Sequence, residues 1–335
     1  MHISGRIIVD TETFKRFNPS ARTSFTQLIS TEVKPTSKGN QPRVDGEEEY
    51  LLAPATVAGF SLREKVWVKF FIDNIYSVVF NNHAFKNLVL PLKQKKLVKA
   101  LVEEHAMDRN SFDDIIHGKG KGLIIILHGP PGVGKTLTAE SVAEHTQRPL
   151  YAVSSGDLGT SASDVDSKLS RILDLASIWN AILLLDEADV FLEERSLHDL
   201  NRNTLVSIFL RQLEYFHGIL FVTTNRVKTF DTAFQSRIHV ALKFNNLEFE
   251  ARCNIWRNFR SQIQHEMMAD GITPVMNFGE EDCRILAERV INGRQIKNAM
   301  ATAKILAANE GNVLTLDHIT FVLDIQEEFK KELGP

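Results

Sequence analysis

The chain has 335 residues, of which 43% are hydrophobic and 24% charged, a globular composition that excludes disorder over the whole length. This length allows two or three domains of roughly 100–200 residues each. The formal net charge of −3 gives no overall positive field for nucleic acid or anionic lipid, and two cysteines are too few for a disulfide framework. Because no apolar run approaches the roughly 18 residues that span a bilayer and no signal peptide is recognisable, we expect a soluble intracellular protein. The cytoplasm is the expected compartment, with the nucleus or an organelle as the alternatives.

The N-terminal region, residues 1–80, is predicted to be β-rich and irregular. Three stretches rich in β-branched and aromatic residues predict strands: Ile3–Val9, Ala55–Leu62 and Trp67–Phe80. The polar stretch Ser30–Glu49, which contains Pro and Gly, predicts a linker. After this region, apolar residues at helical spacing among lysines and glutamates predict an amphipathic helix over Leu92–Met107.

From Gly122 onward, short apolar runs alternate with helical segments, which predicts a parallel sheet with helical crossovers. The predicted strands are Leu123–Leu127, Leu150–Val153, Ala181–Leu185, Ile219–Thr223 and the shorter run Val240–Phe244. Beyond Leu247 the pattern is almost wholly helical, with predicted helices at Glu248–His265, Glu280–Val290, Gly293–Ala308 and Leu316–Glu332. We therefore predict an α/β core over residues 81–246 and a helical domain over residues 247–335.

The segment Gly129–Thr136, GPPGVGKT, matches the pattern GxxxxGK[ST] in full. It follows the predicted strand Leu123–Leu127 and precedes the helical segment Leu137–His145, which is the context of a phosphate-binding loop. Glycines let such a loop wrap tightly and present backbone N–H groups to phosphate oxygens, and the helix N-terminus adds partial positive charge. We expect Lys135 to reach the β- and γ-phosphates and Thr136 to offer its hydroxyl to Mg²⁺.

The apolar run Ile182–Leu185 ends in an acidic pair, Asp186 and Glu187. A buried strand that ends in acids is how P-loop ATPases place a carboxylate near the metal ion. We expect Asp186 to orient the hydration shell of Mg²⁺ and Glu187 to act as the general base for the attacking water.

Two more polar residues follow later in the chain. Asn225 comes after the run Phe221–Thr224, where its amide would bond the attacking water or the γ-phosphate, although a strand-end asparagine also suits an ordinary turn. Arg237 closes the segment Phe230–Arg237, where a guanidinium would stabilise γ-phosphate charge in the transition state; the alternative is a surface salt bridge.

The order and spacing of these four motifs resemble those of the AAA family of AAA+ ATPases over roughly Phe112–Glu332. The resemblance implies a P-loop NTPase core with a helical lid and Mg²⁺-dependent ATP hydrolysis in a homo-oligomeric ring, usually a hexamer. It implies the catalytic residues Glu187, Asp186, Asn225 (as sensor 1) and Arg237, an arginine finger that acts on the neighbouring subunit's nucleotide. The implied Mg²⁺ ligands are Thr136 and Asp186. The implied nucleotide-binding residues are Gly129, Pro130, Pro131, Gly132, Val133, Gly134, Lys135, Thr136 and Leu137.

Longer phrases, such as GFSLREKVWVKFFIDNI and LHGPPGVGKTLTAESVAEHTQRPL, resemble a group of large, mostly uncharacterised fungal AAA ATPases in which a β-rich region precedes the ATPase. That resemblance implies that the chain is a shortened relative or a fragment, and it says little about the substrate.

Three features depart from the family pattern. The stretch Ser154–Asp164, where many AAA unfoldases carry a pore-loop aromatic residue, has none, so processive threading of a polypeptide is disfavoured. Gln235-Ser236 precede a single arginine, Arg237, where other members have two; Arg226 is a conceivable substitute. Arg294 stands where some AAA+ proteins keep a sensor-2 arginine, with a helix-start residue as the alternative.

Three hypotheses for function remain open at this point. The first is ATP-driven remodelling of a protein or protein complex, whose identity the sequence does not give. The second is a nucleotide-gated scaffold with slow hydrolysis, which the missing pore aromatic favours. The third, a nucleic-acid translocase or clamp loader, is disfavoured by the net charge of −3, and we expect no nucleic-acid partner.

Overall fold

The computed structural model describes residues 3–19, 54–106, 121–193, 199–226, 231–269 and 278–332. The predicted linker Ser30–Glu49 lies outside these ranges. Within them, the chain forms two compact units that divide between Val79 and Phe80. The predicted boundary between an ATPase core and a helical domain at residues 246 and 247 stays a prediction, because both parts fall in the second unit.

The first unit contains a small antiparallel sheet of strand order β1-β2-β3 and one α-helix. Its elements are β1 (Ile7–Val9), α1 (Thr11–Phe17), β2 (Thr56–Ser61), β3 (Val66–Phe71) and a 3-10 turn at Ile72–Asn74. Edge-to-face contacts of Trp67 with Phe14 and Phe60 form its core. The predicted strand Trp67–Phe80 is therefore wrong beyond Phe71, because Asp73 and Asn74, which disfavour strands, lie in a tight turn there.

The second unit is built on a five-stranded parallel sheet of order β5-β6-β7-β4-β8. Its strands are β4 (Leu123–His128), β5 (Leu150–Ser154), β6 (Ile182–Asp186), β7 (Ile219–Thr224) and β8 (Val240–Lys243). Every residue of β4 and β7 is buried, which is why these strands read as unbroken apolar runs in the sequence. Parallel pairing brings the carboxyl ends of β4, β6 and β7 to one edge of the sheet.

Helices connect and cover the strands of this sheet. They are α2 (Ala84–Asn87), α3 (Leu92–Ala106), α4 (Lys135–Thr146), α5 (Ser155–Leu158), α6 (Ala162–Ile178), α7 (Asp189–Leu192), α8 (Leu200–Glu214) and α9 (Thr232–Gln235). The predicted amphipathic helix is confirmed as α3, because Val98 and Val102 are buried in the core beside the sheet.

The C-terminal part of the second unit is helical in its described residues. Its helices are α10 (Phe249–Ala269), α11 (Glu280–Ala287), α12 (Gly293–Asn309) and α13 (Leu316–Glu332). They share a separate apolar core that includes Trp256, Ile296, Met300 and Leu323. None of the helices in the described ranges has the length and apolar character needed to traverse a bilayer.

Candidate nucleotide-binding site

The predicted phosphate loop joins β4 to α4 in a tight turn whose backbone depends on glycine. Gly132 has a φ of +75°, in the region that side chains disfavour. At Gly129 a Cβ would lie 2.1 Å from the carbonyl oxygen of Phe244, so only glycine fits beside that backbone. The helix begins at Lys135, and the N–H groups of its first residues have no acceptor within the helix. The loop therefore has the form of an anion-binding turn.

Lys135 is buried and its ammonium group bonds to three oxygens. Nζ donates to the carbonyls of Gly129 (2.8 Å) and Pro130 (2.7 Å) and to Oδ1 of Asn225 (2.9 Å). Burial lowers the pKa of Lys135 from its ordinary value, the charge of Arg294 lowers it further, and the carboxylates of the acidic pair oppose the shift. The contact with Asn225 places the predicted phosphate-binding cation beside the predicted sensor residue.

Thr136 and Asp186 meet across the site. The hydroxyl of Thr136 donates to the Asp186 carboxylate, at 3.1 Å from Oδ1 and 3.3 Å from Oδ2. Within the described ranges, no group of three or more His, Cys, Asp or Glu forms a metal cluster. A hydroxyl beside one carboxylate nonetheless fits Mg²⁺, which binds few protein oxygens and takes its other ligands from phosphates and water.

The turn after β6 places Glu187 in a backbone conformation that is rare for any residue but glycine. Its φ is +54°, while its side chain is exposed. The backbone N–H of Glu187 donates to Thr223 Oγ1 at 3.0 Å, and the N–H of Ala188 donates to the Thr223 carbonyl at 3.0 Å. The same Thr223 hydroxyl donates to Asp186 Oδ1. Residues at the end of β7 therefore hold the acidic pair at the end of β6.

A second bridge between these two strand ends involves Asp189, the first residue of α7. Its Oδ1 accepts hydrogen bonds from the Thr224 hydroxyl and from the backbone N–H of Asn225, the latter at 3.2 Å. Asn225 is exposed on one side and reaches Lys135 on the other. The strand end that carries Asn225 is thus fixed to the helix that follows the acidic pair.

The start of α12 lies against the phosphate loop. The N–H of Gly293 donates to the carbonyl of Gly132 at 2.9 Å. A Cβ on Gly132 would lie 2.6 Å from Cγ of Asn292, so the asparagine amide lies directly against that glycine. Asn292 caps α12 and exchanges hydrogen bonds with Gln295. Arg294 follows at once, close enough for its charge to act on Lys135.

Two other arginines singled out from the sequence, Arg237 and Arg226, lie in ion pairs. Arg237 donates to the carbonyl of Ala233 at 2.8 Å and lies 3.8 Å from Glu214. Arg226, exposed after Asn225, lies 3.6 Å from Glu193. The first residue of the segment Phe230–Arg237 lies outside the described ranges. The structure therefore brings Lys135, Thr136, Asp186, Glu187 and Asn225 together, and it places Arg237 in contacts with other residues.

The stretch that lacks a pore aromatic is ordered by local hydrogen bonds. Asp157 accepts from the backbone N–H and the hydroxyl of Ser154, at 2.7 and 2.8 Å, and closes the short helix α5. Leu158 is buried and is the one large apolar side chain between Ser155 and Asp164. The exposed residues of this stretch are small or polar: Gly156, Thr160, Ser161, Ser163 and Asp164.

The chain is similar to several known proteins. Residues 125–246 match the model of the family "ATPase family associated with various cellular activities (AAA)". This stretch of the chain is therefore similar to an AAA ATPase domain. The ATPase family AAA domain-containing protein 3 of Caenorhabditis elegans is 27% identical over 274 residues, which are 75% of this chain and 46% of that protein. The 26S proteasome regulatory subunit 8 homolog of Schizosaccharomyces pombe is 28% identical over 71% of this chain and 57% of that protein.

A solved structure shows the same fold. The crystal structure of the FIGL-1 AAA domain in complex with ADP matches with a TM-score of 0.54 at 18% identity, over 74% of this chain and 86% of that one. The predicted fold class, an α/β P-loop NTPase core followed by helices, is confirmed. The chain spans about half the length of the C. elegans relative, and the predicted closeness to fungal proteins stays a prediction.

Three residues that organise the site were not singled out from the sequence: Thr223, Asp189 and Asn292. Thr223 and Thr224 close a strand that is otherwise apolar, and Asp189 follows the acidic pair by two residues at the start of α7, so the sequence shows that these positions are polar but not what they contact. Asn292 and Gln295 have the spacing of a capping box, which signals a helix start. The spacing does not reveal that this cap contacts Gly132.

Proposed function

We propose that this chain hydrolyses ATP to ADP and phosphate with Mg²⁺. The observation that supports the proposal most strongly is the convergence of Lys135, Thr136, Asp186 and Asn225 on the loop between β4 and α4. Groups of this kind bind a nucleoside triphosphate and its metal ion: a cation and a hydroxyl from the loop, a carboxylate from β6 and an amide from β7.

In this proposal each side chain has one task. The loop N–H groups and Lys135 bind the phosphates, and Thr136 and Asp186 hold Mg²⁺, which neutralises phosphate charge when bound. Glu187 accepts a proton from the attacking water as its oxygen bonds to the γ-phosphorus and the bond to the ADP oxygen breaks. Asn225 orients that water, and its contact with Lys135 keeps it near the γ-phosphate.

Replacement of Glu187 by Gln tests the proposal. The variant should bind ATP as the wild type does, because the phosphate-binding groups are intact, and its turnover should fall by at least about 10²-fold, because general-base catalysis is lost. Phosphate release and fluorescent-nucleotide binding measure the two quantities. Glu281→Gln, in an exposed position on α11, is the matched control and should hydrolyse ATP at the wild-type rate. Wild-type turnover in Glu187→Gln would refute the assignment.

We further propose that the chain acts in an oligomeric ring, with a homo-hexamer as the expected form, and remodels a protein or protein complex. AAA proteins generally assemble, and the S. pombe relative is named as a subunit of the 26S proteasome. A nucleotide-gated scaffold is the second candidate, because the small polar residues exposed at Thr160–Asp164 offer little apolar surface to grip a polypeptide. Affinity capture with Glu187→Gln in ATP, followed by imaging, would identify partner and ring size together.

A further inference from the structure

Thr223 is the buried residue that links the two strand ends of the site. It precedes the last residue of β7, and only 1% of its surface is exposed. Its hydroxyl uses both of its hydrogen-bonding roles on one neighbouring segment, since it donates to Asp186 Oδ1 and accepts from the N–H of Glu187. Both hydrogen-bond partners of the buried Thr223 hydroxyl therefore belong to the acidic pair, Asp186 and Glu187.

The conformation of Glu187 makes this support important. A non-glycine residue with a φ of +54° has a strained backbone, and this conformation persists only when its surroundings hold it. Thr223 holds it at two consecutive amides, through Oγ1 at Glu187 and through its carbonyl at Ala188. The direction in which the Glu187 side chain leaves the backbone depends on these two bonds.

Asp186 depends on the same hydroxyl. Its Oδ1 receives hydrogen bonds from Thr136 and from Thr223, so the carboxylate is oriented between the phosphate loop and β7. Loss of one donor would leave the carboxylate free to rotate away from Thr136. The metal-binding oxygen and the general base are therefore coupled through one side chain.

We infer that Thr223 is a positioning residue for hydrolysis: it fixes Asp186 for the metal ion and Glu187 for the attacking water. This inference rests on the ATPase function proposed above. It assigns to Thr223 an effect on turnover and on Mg²⁺ dependence, because the groups that bind the phosphates are on another loop. A purely structural role would instead lower stability without a selective effect on turnover.

The test uses two variants at one position in the full chain. Thr223→Val keeps the shape and removes the hydroxyl, and we expect kcat to fall about 10- to 100-fold, with the KM for ATP within about twofold of wild type. The Mg²⁺ concentration for half-maximal activity should rise. Thr223→Ser keeps the hydroxyl and should restore kcat to within about threefold of wild type.

A matched control removes a threonine hydroxyl elsewhere. Thr146 donates to the carbonyl of Val142 at 2.9 Å near the end of α4, so Thr146→Val removes a comparable hydrogen bond away from the site. It should leave kcat and Mg²⁺ dependence unchanged. Thermal unfolding of all three variants separates loss of stability from loss of turnover.

Amide hydrogen exchange gives a readout that does not depend on activity. In Thr223→Val the Glu187 amide should exchange faster than in wild type, and in Thr223→Ser it should not. Wild-type kcat in Thr223→Val, equal impairment of Val and Ser variants, or unchanged exchange at Glu187 would each overturn the positioning role. These outcomes leave the ATPase proposal intact if Glu187→Gln is inactive, whereas a wild-type chain that hydrolyses no ATP would overturn both.

Discussion

His128 ends β4 directly before the phosphate loop, and only 9% of its surface is exposed. Burial lowers the pKa of His128 from its ordinary value, and the nearby charges of Lys243 and Lys135 lower it further. The pKa of His239, whose Nδ1 accepts from the N–H of Ile124, is lowered in the same direction, mainly by burial and secondly by His105. Both shifts favour the neutral form of the imidazoles beside β4.

These shifts predict how stability depends on pH. The unfolded chain takes up protons at the ordinary histidine pKa of about 6.5, which the folded chain resists, so stability is full above that pH and falls as pH drops through and below it. In His128→Gln the free energy of unfolding should fall less steeply between pH 7 and pH 5.5 than in the wild type. Part of the fall should remain, because His239 is still present. Urea unfolding at several pH values measures how the free energy of unfolding changes with pH. The same pH dependence in the variant and the wild type would contradict the prediction.

At the scale of elements, the start of α12 and the phosphate loop form one contact surface. Gly293 bonds to Gly132 backbone to backbone, and the Asn292 amide packs where a Cβ on Gly132 would be. The side chain that caps the helix therefore also supports the loop. We therefore expect that a displacement of this helix would change the shape of the phosphate loop.

This coupling predicts different effects for two helix caps. Asn292→Ala and Ser161→Ala should each cost about 1 kcal/mol of stability, since each removes an N-cap side chain. Only Asn292→Ala should weaken ADP binding, by about three- to tenfold, because only this cap keeps the phosphate loop pre-organised. Calorimetric titration with ADP compares the two variants, and equal affinities would contradict a link between α12 and the loop.

The elements themselves were predictable to different degrees, for physical reasons. The buried parallel strands were found to within a residue or two, because burial on both faces demands apolar runs such as Leu123–His128. The strand predicted for Trp67–Phe80 was wrong after Phe71, because exposed chain that is rich in β-branched residues has the same composition as a strand. The phosphate loop was recognisable because its chemistry requires glycines at fixed spacing.

The contacts that complete the site were not predictable from local patterns. Thr223 meets the acidic pair only because β6 and β7 are neighbours in the register that pairs Leu185 with Val222. Asn292 meets Gly132 only through the packing of the helical part of the unit. Both contacts join segments far apart in the chain, so neither spacing nor composition encodes them.

At the scale of the whole molecule, Arg237 is the residue whose proposed task needs a second subunit. Its side chain contacts the carbonyl of Ala233 and the carboxylate of Glu214, neither of which belongs to the phosphate loop. The pair with Glu214 is half-exposed and 3.8 Å long, so it holds the guanidinium weakly and leaves it able to exchange partners. This geometry is compatible with a finger that reaches a neighbouring subunit's nucleotide and with the ordinary salt bridge that is its alternative.

A mixing experiment decides between the two. Arg237→Ala should lower kcat by about 10³–10⁵-fold if the arginine stabilises the transition state. A mixture of Arg237→Ala and Lys135→Ala chains should regain part of that activity. The Arg237→Ala subunit keeps an intact nucleotide site, and the Lys135→Ala subunit beside it supplies the arginine. Mixing with a chain that carries both substitutions is the control, since it supplies no arginine and should restore nothing. If the first mixture is no more active than the second, Arg237 does not act between subunits, and its contact with Glu214 is its function.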